Sequence, residues 1–300
     1  MARGQEQENI GPGEAGLRFA LPALLLGNVL LAFGPWFVRM SDVGPVAAAF
    51  WRIALAVPLL FLVMRWREGT KTWRMPAMAG LFLLSGLFFA ADLAAWHIGI
   101  LQTKLANATL LGNSTSFLLP LYAFIVARAW PSRQQAAALA LAGIGTALLL
   151  GRSFDLSPRN FVGDMLCILA GIFYTGYLIL MARARVDGGA WRTLGWSTLM
   201  SAPPLLICAL LFGEAIWPSD WTPLVALALM SQFAGQGLMI YAIGSVPPLV
   251  FALVLLTQPI VSATIGWFAY GERLGTLDWA GAVLIGLALV LVREKSRPLA

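Results

Sequence analysis

The chain has 300 residues, 59% hydrophobic and only 11% charged, with a mean hydropathy of +0.80. A water-soluble domain carries about 25% charged residues, so this balance excludes an ordinary soluble enzyme or binding module and points to a polytopic membrane protein. The net charge of +6 sits in the connections between apolar runs, which argues against a nucleic-acid partner.

In chain order, the apolar runs between charged or Pro/Gly breaks predict ten helical spans: 17–38, 45–64, 76–99, 105–127, 134–151, 161–182, 192–213, 222–243, 248–270 and 276–292. Runs of this length, about 20 residues and continuous, are helices rather than the alternating strands of about 10 residues in a barrel. The first run is too long for a signal-peptide core and leads into further spans, so it is retained as a helix. Pro45, Pro76, Pro223 and Pro248 each fall at a predicted first helical turn, where a missing N–H costs nothing. With the N-terminus inside, fourteen lysines and arginines collect on the cytoplasmic side and five outside, which places both termini in the cytoplasm.

Span two carries Arg52, an intramembrane charge that must be paired or near water, as a tether to another helix or as a substrate contact. Span three carries Asp92 and Trp96 one turn apart, with His97, the single histidine, beside them. These three suit a substrate amine, a proton relay or a fixed interhelical hydrogen bond. Span four is dense in amides and hydroxyls, including Asn107, Thr109, Asn113, Ser114 and Ser116, which hydrocarbon tolerates only facing protein or water. Both interhelical glue and a cavity fit that density.

Span six offers Tyr174 and Tyr177 after a small-residue ladder of Gly163, Cys167 and Gly171, the ladder reading as a close helix contact. Cys167 and Cys208 lie in different spans without a CxxC partner and read as reduced packing residues. Gln232 and Gln236 stack one turn apart in span eight, and Gln258 lies in span nine. About 145 residues separate Ile98-Gly99 from Ile243-Gly244 and Asn113 from Gln258, the sign of a duplicated unit. Five spans per copy make the repeat inverted. Pro120 and Pro259 free carbonyls inside spans four and nine and are the candidate hinges of two moving gates.

One histidine, no HExxH, no GxSxG and no clustered carboxylates leave an integral-membrane enzyme without its chemistry, and no metal or cofactor is expected. No GxxxxGK[ST] run predicts nucleotide binding.

The run Asp92-Leu93-Ala94-Ala95-Trp96-His97, with Thr103 and Ala106-Asn107-Ala108-Thr109-Leu110-Leu111, resembles the EamA-type domain of the drug/metabolite transporter superfamily. Phe50-Trp51-Arg52 and Gly271-Glu272-Arg273-Leu274, with Gly281 and Gly286, add to it. The resemblance covers nearly the whole chain. It implies an all-α integral membrane fold, ten transmembrane helices arranged as two inverted five-helix repeats around a central cavity, and alternating access. Within the superfamily the chain is most similar to the YddG-type bacterial amino-acid exporters. Lys104 after Thr103, and Trp130-Pro131-Ser132 where the second repeat has Gly-Glu-Arg, depart from the pattern and leave the outer gate and proton coupling open.

The expected organisation is a cytoplasmic tail (1–16), a first repeat (17–151), a connecting loop (152–160), a second repeat (161–292) and a second tail (293–300). The expected function is export of amino acids, aromatic or neutral, and related small metabolites across the bacterial inner membrane; the expected partners are the small-molecule substrate, the lipid bilayer and, if transport is coupled, protons, with no nucleic acid. Export of cationic drugs or quaternary ammonium compounds is the alternative. The expected cavity residues are Asp92, Trp96, His97, Asn107, Asn113, Ser114, Tyr174, Tyr177, Gln232, Gln236 and Gln258.

Overall fold

A computed structural model describes residues 12–69, 78–103, 105–151, 158–270 and 275–292. The expectations for Lys104, Pro76 and the Gly271-Glu272-Arg273 run fall outside the described residues, as do most of both tails and of the connecting loop.

Every regular element among the described residues is a helix. The first half runs α1 (Pro12–Ala32), α2 (Gly34–Met40), α3 (Pro45–Glu68), α4 (Ala79–Gln102), α5 (Leu105–Gly112), α6 (Thr115–Ala127) and α7 (Arg133–Gly151). Then follow α8 (Phe161–Gly188), α9 (Ala190–Leu211), α10 (Thr222–Ala226), a π-helical segment (Leu227–Gly235), α11 (Gln236–Ile243), α12 (Pro248–Leu255), α13 (Gln258–Tyr270) and α14 (Thr276–Val292). Seven described segments are long and apolar enough to cross a bilayer, and Pro248–Val261 and Trp279–Val292 are shorter apolar helices.

Local chemistry explains the ends. Pro45, Pro223 and Pro248 open α3, α10 and α12 in the first turn, where no intrahelical donor is needed. Gly189, at φ +67°, both ends α8 and begins α9, a conformation that a side chain would strain. The perimeter is apolar: Leu62, Leu121, Ile125, Leu211 and Phe268 are more than half exposed, and Trp66 and Trp130 stand almost free. A water-soluble monomer does not expose such a belt, whereas lipid-facing helices with interfacial tryptophans do.

Inside, helices meet through small residues. A Cβ on Gly99 would come within 2.7 Å of Cys167 Sγ, one on Gly163 within 2.6 Å of the Gln102 carbonyl carbon, and one on Gly27 within 2.8 Å of Gly235 O. The Gly163–Cys167–Gly171 ladder is thus a seam, α8 lying on α4 and on the α5–α6 junction. The other main contacts pair α7 with α14, both α3 and α4 with α9, and α1 with α11.

The two ends of the bundle differ. At one end carboxylates stitch loops to helix starts. Glu214 accepts from the Val46 and Ala47 N–H groups (3.2 and 2.7 Å), and Asp42 accepts from the Ser219 and Asp220 N–H groups (2.7 and 3.3 Å). Asp164 accepts from Thr103 Oγ1 and Asn107 Nδ2 (2.6 and 2.9 Å). At the opposite end, where α8 and α11 finish, Arg183 Nη2 donates to Tyr122 Oη (2.8 Å) and Arg185 Nη2 to Tyr241 O (2.7 Å).

Candidate functional site

Four departures from regular α-helix converge on one cavity. α1 and α2 part at Phe33, α5 and α6 at Asn113–Ser114, and α12 and α13 at Leu256–Thr257, while the π-helical segment ends at Gly235. Leu31, Ala32 and Pro35, then Gly112, Asn113 and Thr115, then Leu255 and Gln258, then Gln236, all line a space of about 680 Å³. Irregular backbone at membrane depth is tolerated where it is buried in protein or borders a wet cavity, and π-helical turns recur at functional sites.

Each break is satisfied locally. At the first, Asn113 Nδ2 returns 2.7 Å to Thr109 O, and the Ser114 and Ser116 N–H groups bond three residues back. At the second, Pro259 supplies no N–H to Leu255 O, and Thr257 Oγ1 lies 2.7 Å from Val254 O. Asn28 of α1, fully buried, clasps that second break: its Nδ2 donates to Val254 O (2.8 Å) and Thr257 Oγ1 (2.7 Å), and its Oδ1 accepts from Gln258 Nε2 (2.8 Å). Across the molecule α8 holds the first break in the same manner. Thr115 Oγ1 donates to Gly171 O (2.7 Å) and accepts from Thr175 Oγ1 (3.1 Å).

The walls carry charge, amides and rings. Arg52 and Asp92, 3% and 8% exposed, both face the cavity. Arg52 is oriented from behind, since its Nε donates to Gln232 Oε1 (3.3 Å) and Gln232 Nε2 donates to Thr198 Oγ1 (3.2 Å). Tyr174 bonds Gln236 (3.4 Å) and lies 5.8 Å from Tyr177, which stacks in turn on Phe89 at 4.4 Å. The Trp96 indole lies between two glycines at helix breaks. A Cβ on Gly112 would sit 3.0 Å from its Nε1, and one on Gly34 3.5 Å from its far edge.

The cavity therefore gathers Asp92, Trp96, Asn113, Tyr174, Gln236 and Gln258 of the residues expected from sequence, together with Arg52. Five expected residues stand off its wall. His97 is fully buried with Nδ1 3.0 Å from Pro45 O, so it joins α4 to the start of α3. Asn107 donates to Asp164, and Ser114 lies against Gly171. Tyr177 and Gln232 sit one hydrogen bond behind, the first accepting from Gln236 Nε2 (3.4 Å), the second holding Arg52. The hinge expectation for Pro120 also shifts: the break falls at Asn113–Ser114, and Pro120 lies within α6, whereas Pro259 is the second residue of α13. Measured from the breaks, Gln258 stands where Thr115 stands, not Asn113, because α6 and α13 begin at 115 and 258. Asn28 and Asp164 were not expected; a lone amide in the first run and an acid in a first turn carry no periodic signal.

An all-helical bundle with a lipid-compatible belt and a charged internal cavity framed by broken helices defines a multi-pass membrane protein. Residues 161–293 match the EamA-like transporter family. Two Archaeoglobus fulgidus proteins described as uncharacterized transporters are similar along almost the whole chain. One is 21% identical over 288 residues (91% of this chain, 97% of the relative), the other 25% over 278 (92% and 96%). The uncharacterized transporter YyaM of Bacillus subtilis is 23% identical over 286 residues, covering 89% of this chain and 91% of its own. A solved crystal structure, 18% identical, superposes with a TM-score of 0.74 over 93% of this chain and 98% of its own, a likeness of fold. The chain is thus similar over its second half to the EamA-like transporter family, and over nearly its whole length to proteins described as transporters.

Proposed function

We propose that the protein is an inner-membrane transporter that exports amino acids, neutral or aromatic, by alternating access. The observation that carries this reading is the juxtaposition of Arg52, Asp92, Trp96 and Tyr174 on one cavity. A guanidinium for a carboxylate, a carboxylate for an ammonium and flat rings for a side chain are the complement of an α-amino acid. Asn113, Gln236 and Gln258, at the helix breaks, supply neutral hydrogen bonds to the same space.

Ten spans in two inverted five-helix halves, 17–151 and 161–292, joined by 152–160 and flanked by the cytoplasmic tails 1–16 and 293–300, frame this reading. Three observations support it. Both broken segments consist of 8 residues, a two-residue gap and 13 residues. The clasp of α1 on the α12–α13 break mirrors that of α8 on the α5–α6 break. The contact of α4 with α8 likewise has its counterpart in that of α1 with α11. α6 and α13 are the moving gates, pivoting at their breaks.

A second reading, export of organic cations, is favoured by Asp92 with two aromatic faces. Arg52 on the same wall opposes it, since a cation without a carboxylate meets like charge. Tracer flux in proteoliposomes tests both. Amino acids are expected to give saturable uptake that other amino acids compete and tetraalkylammonium ions do not. Competition by the ammonium ions alone overturns the amino-acid reading, and absence of saturable flux for any solute overturns transport.

A further inference from the structure

One helical turn below the central cavity, towards the arginine-bearing end, lies a second and larger recess of about 1050 Å³ between α6, α8 and the α11–α12 junction. The step is visible on three helices: Thr115, Tyr174 and Leu255 line the upper space, while Leu119, Leu178 and Phe251 line the lower. Those last three are buried and form an apolar partition. The recess is amphipathic. Val126 and Val186, 59% and 81% exposed, continue its apolar side to the surface, and two guanidinium groups stand at its mouth.

The guanidinium groups are built into place. Arg183 is fixed by Tyr122 Oη, and Arg185 by the Tyr241 carbonyl. Arg185 lies directly against Gly244, where a Cβ would come within 1.8 Å of Nη1, so a side chain there would displace the guanidinium. Its Nε is nevertheless buried without a hydrogen-bond partner, and an ionised donor deprived of water and acceptor is costly. We infer that this recess binds the phosphate headgroup of an anionic phospholipid. The phosphate takes the donors of Arg183 and Arg185, and the first part of an acyl chain lies along Val126 and Val186 towards the Leu119–Leu178–Phe251 partition. Paired arginines match phosphate oxygens in geometry as well as charge, and basic pockets between transmembrane helices bind anionic headgroups. A free phosphate ion would satisfy the arginines but leave the apolar wall uncovered. The inference rests on the membrane placement of the bundle and not on the substrate proposed for the central cavity.

The test is the thermal stability of the detergent-purified full chain titrated with phosphatidylglycerol, with phosphatidylcholine of the same chains, and with inorganic phosphate, alongside native mass spectrometry of retained lipid. Phosphatidylglycerol is expected to raise Tm saturably and to remain bound, and the other two are not. Arg183→Gln with Arg185→Gln should weaken the response about thirtyfold, roughly fivefold for each arginine near a lipid headgroup. If that pair does not fold, Gly244→Ala, which displaces only the Arg185 guanidinium, should weaken it severalfold. Equal responses to both lipids, a full response to inorganic phosphate alone, or an undiminished response in both variants would overturn the proposal. Substrate flux in the same preparation tests the central cavity separately.

Discussion

The two ends of the bundle are built on opposite principles. At the carboxylate end, Asp42, Asp164 and Glu214 each accept two hydrogen bonds from another element, and Arg39 Nη2 adds bonds to the Ile100 and Thr103 carbonyls (3.1 and 3.3 Å). At the arginine end a recess of about 1050 Å³ reaches within one helical turn of the central cavity. The difference teaches which way the cavity is closed: by a stitched polar rim on one side, and by a thin apolar partition on the other. Polar stitches are specific and hold one geometry, whereas an apolar partition such as Leu119, Leu178 and Phe251 can part without leaving donors unsatisfied.

The largest expected effect lies between the two ends. Removing either charge from the cavity, Arg52→Gln or Asp92→Asn, should lower transport of a zwitterion at limiting concentration by at least about thirtyfold, since breaking a desolvated charged contact costs about 2–5 kcal/mol. Flux assays check it. An equal loss for a singly charged solute would show a structural role instead.

Next comes the polar rim. Asp164 is 2% exposed, and Asp164→Ala leaves Thr103 and Asn107 without its carboxylate, at about 1.5–3 kcal/mol for each bond to a charged group. A lowered Tm is expected, with faster thiol labelling of the buried Cys167, three residues along α8 from Asp164, whereas Leu119→Ala should leave that labelling unchanged. Labelling that rises equally in both variants would erase the distinction between the ends.

A smaller effect concerns the breaks. Asn113→Ala with Gln258→Ala removes two cavity amides and the clasp between Gln258 and Asn28, and should raise KM for transport severalfold. Unchanged transport would remove these residues from the site. Within the Trp96 slot, Gly112→Ala crowds the indole at 3.0 Å and should raise KM, while Gly34→Ala, whose new carbon meets ordinary contacts at 3.4 and 3.5 Å, should not.

The smallest effect is one of pH. The Ser219 backbone N–H is the main group holding the exposed Asp42 carboxyl below the usual carboxylate range. A carboxyl depressed in the folded state stabilises it above the ordinary carboxylate pKa, and that contribution is lost as pH falls through the depressed value. Asp42→Asn should therefore melt below wild type at neutral pH and converge with it in strong acid; divergence on acidification would reverse the sign.

Apolar runs made most of the fold legible, because lipid leaves few alternatives for a span of about 20 residues. α8 merely extends to Gly188 beyond the expected 182, and α4 begins at Ala79. The site was legible where charge or amide is anomalous in hydrocarbon, as for Arg52, Asp92 and Gln236. It was illegible across the breaks. A single continuous helix over 105–127 would put Thr109, Asn113, Ser116 and Pro120 on one face, yet the turn at Asn113–Ser114 resets the rotational phase, so Thr109 and Asn113 face the cavity while Ser116 and Pro120 do not. His97 and Ser114 went astray for a related reason, since adjacency in sequence does not put residues on one helical face. Asn28 escaped because its partners lie 226 residues and more away.

The central claim is that one cavity reads both charges of a zwitterion. Equilibrium binding to the purified protein of phenylalanine, phenethylamine and 3-phenylpropionate tests it most directly, since the three share a ring and differ only in charged ends. Phenylalanine is predicted to bind, and each analogue lacking one charge to bind at least about tenfold more weakly. Phenethylamine binding as tightly as phenylalanine, with Arg52→Gln leaving both unchanged, would contradict it.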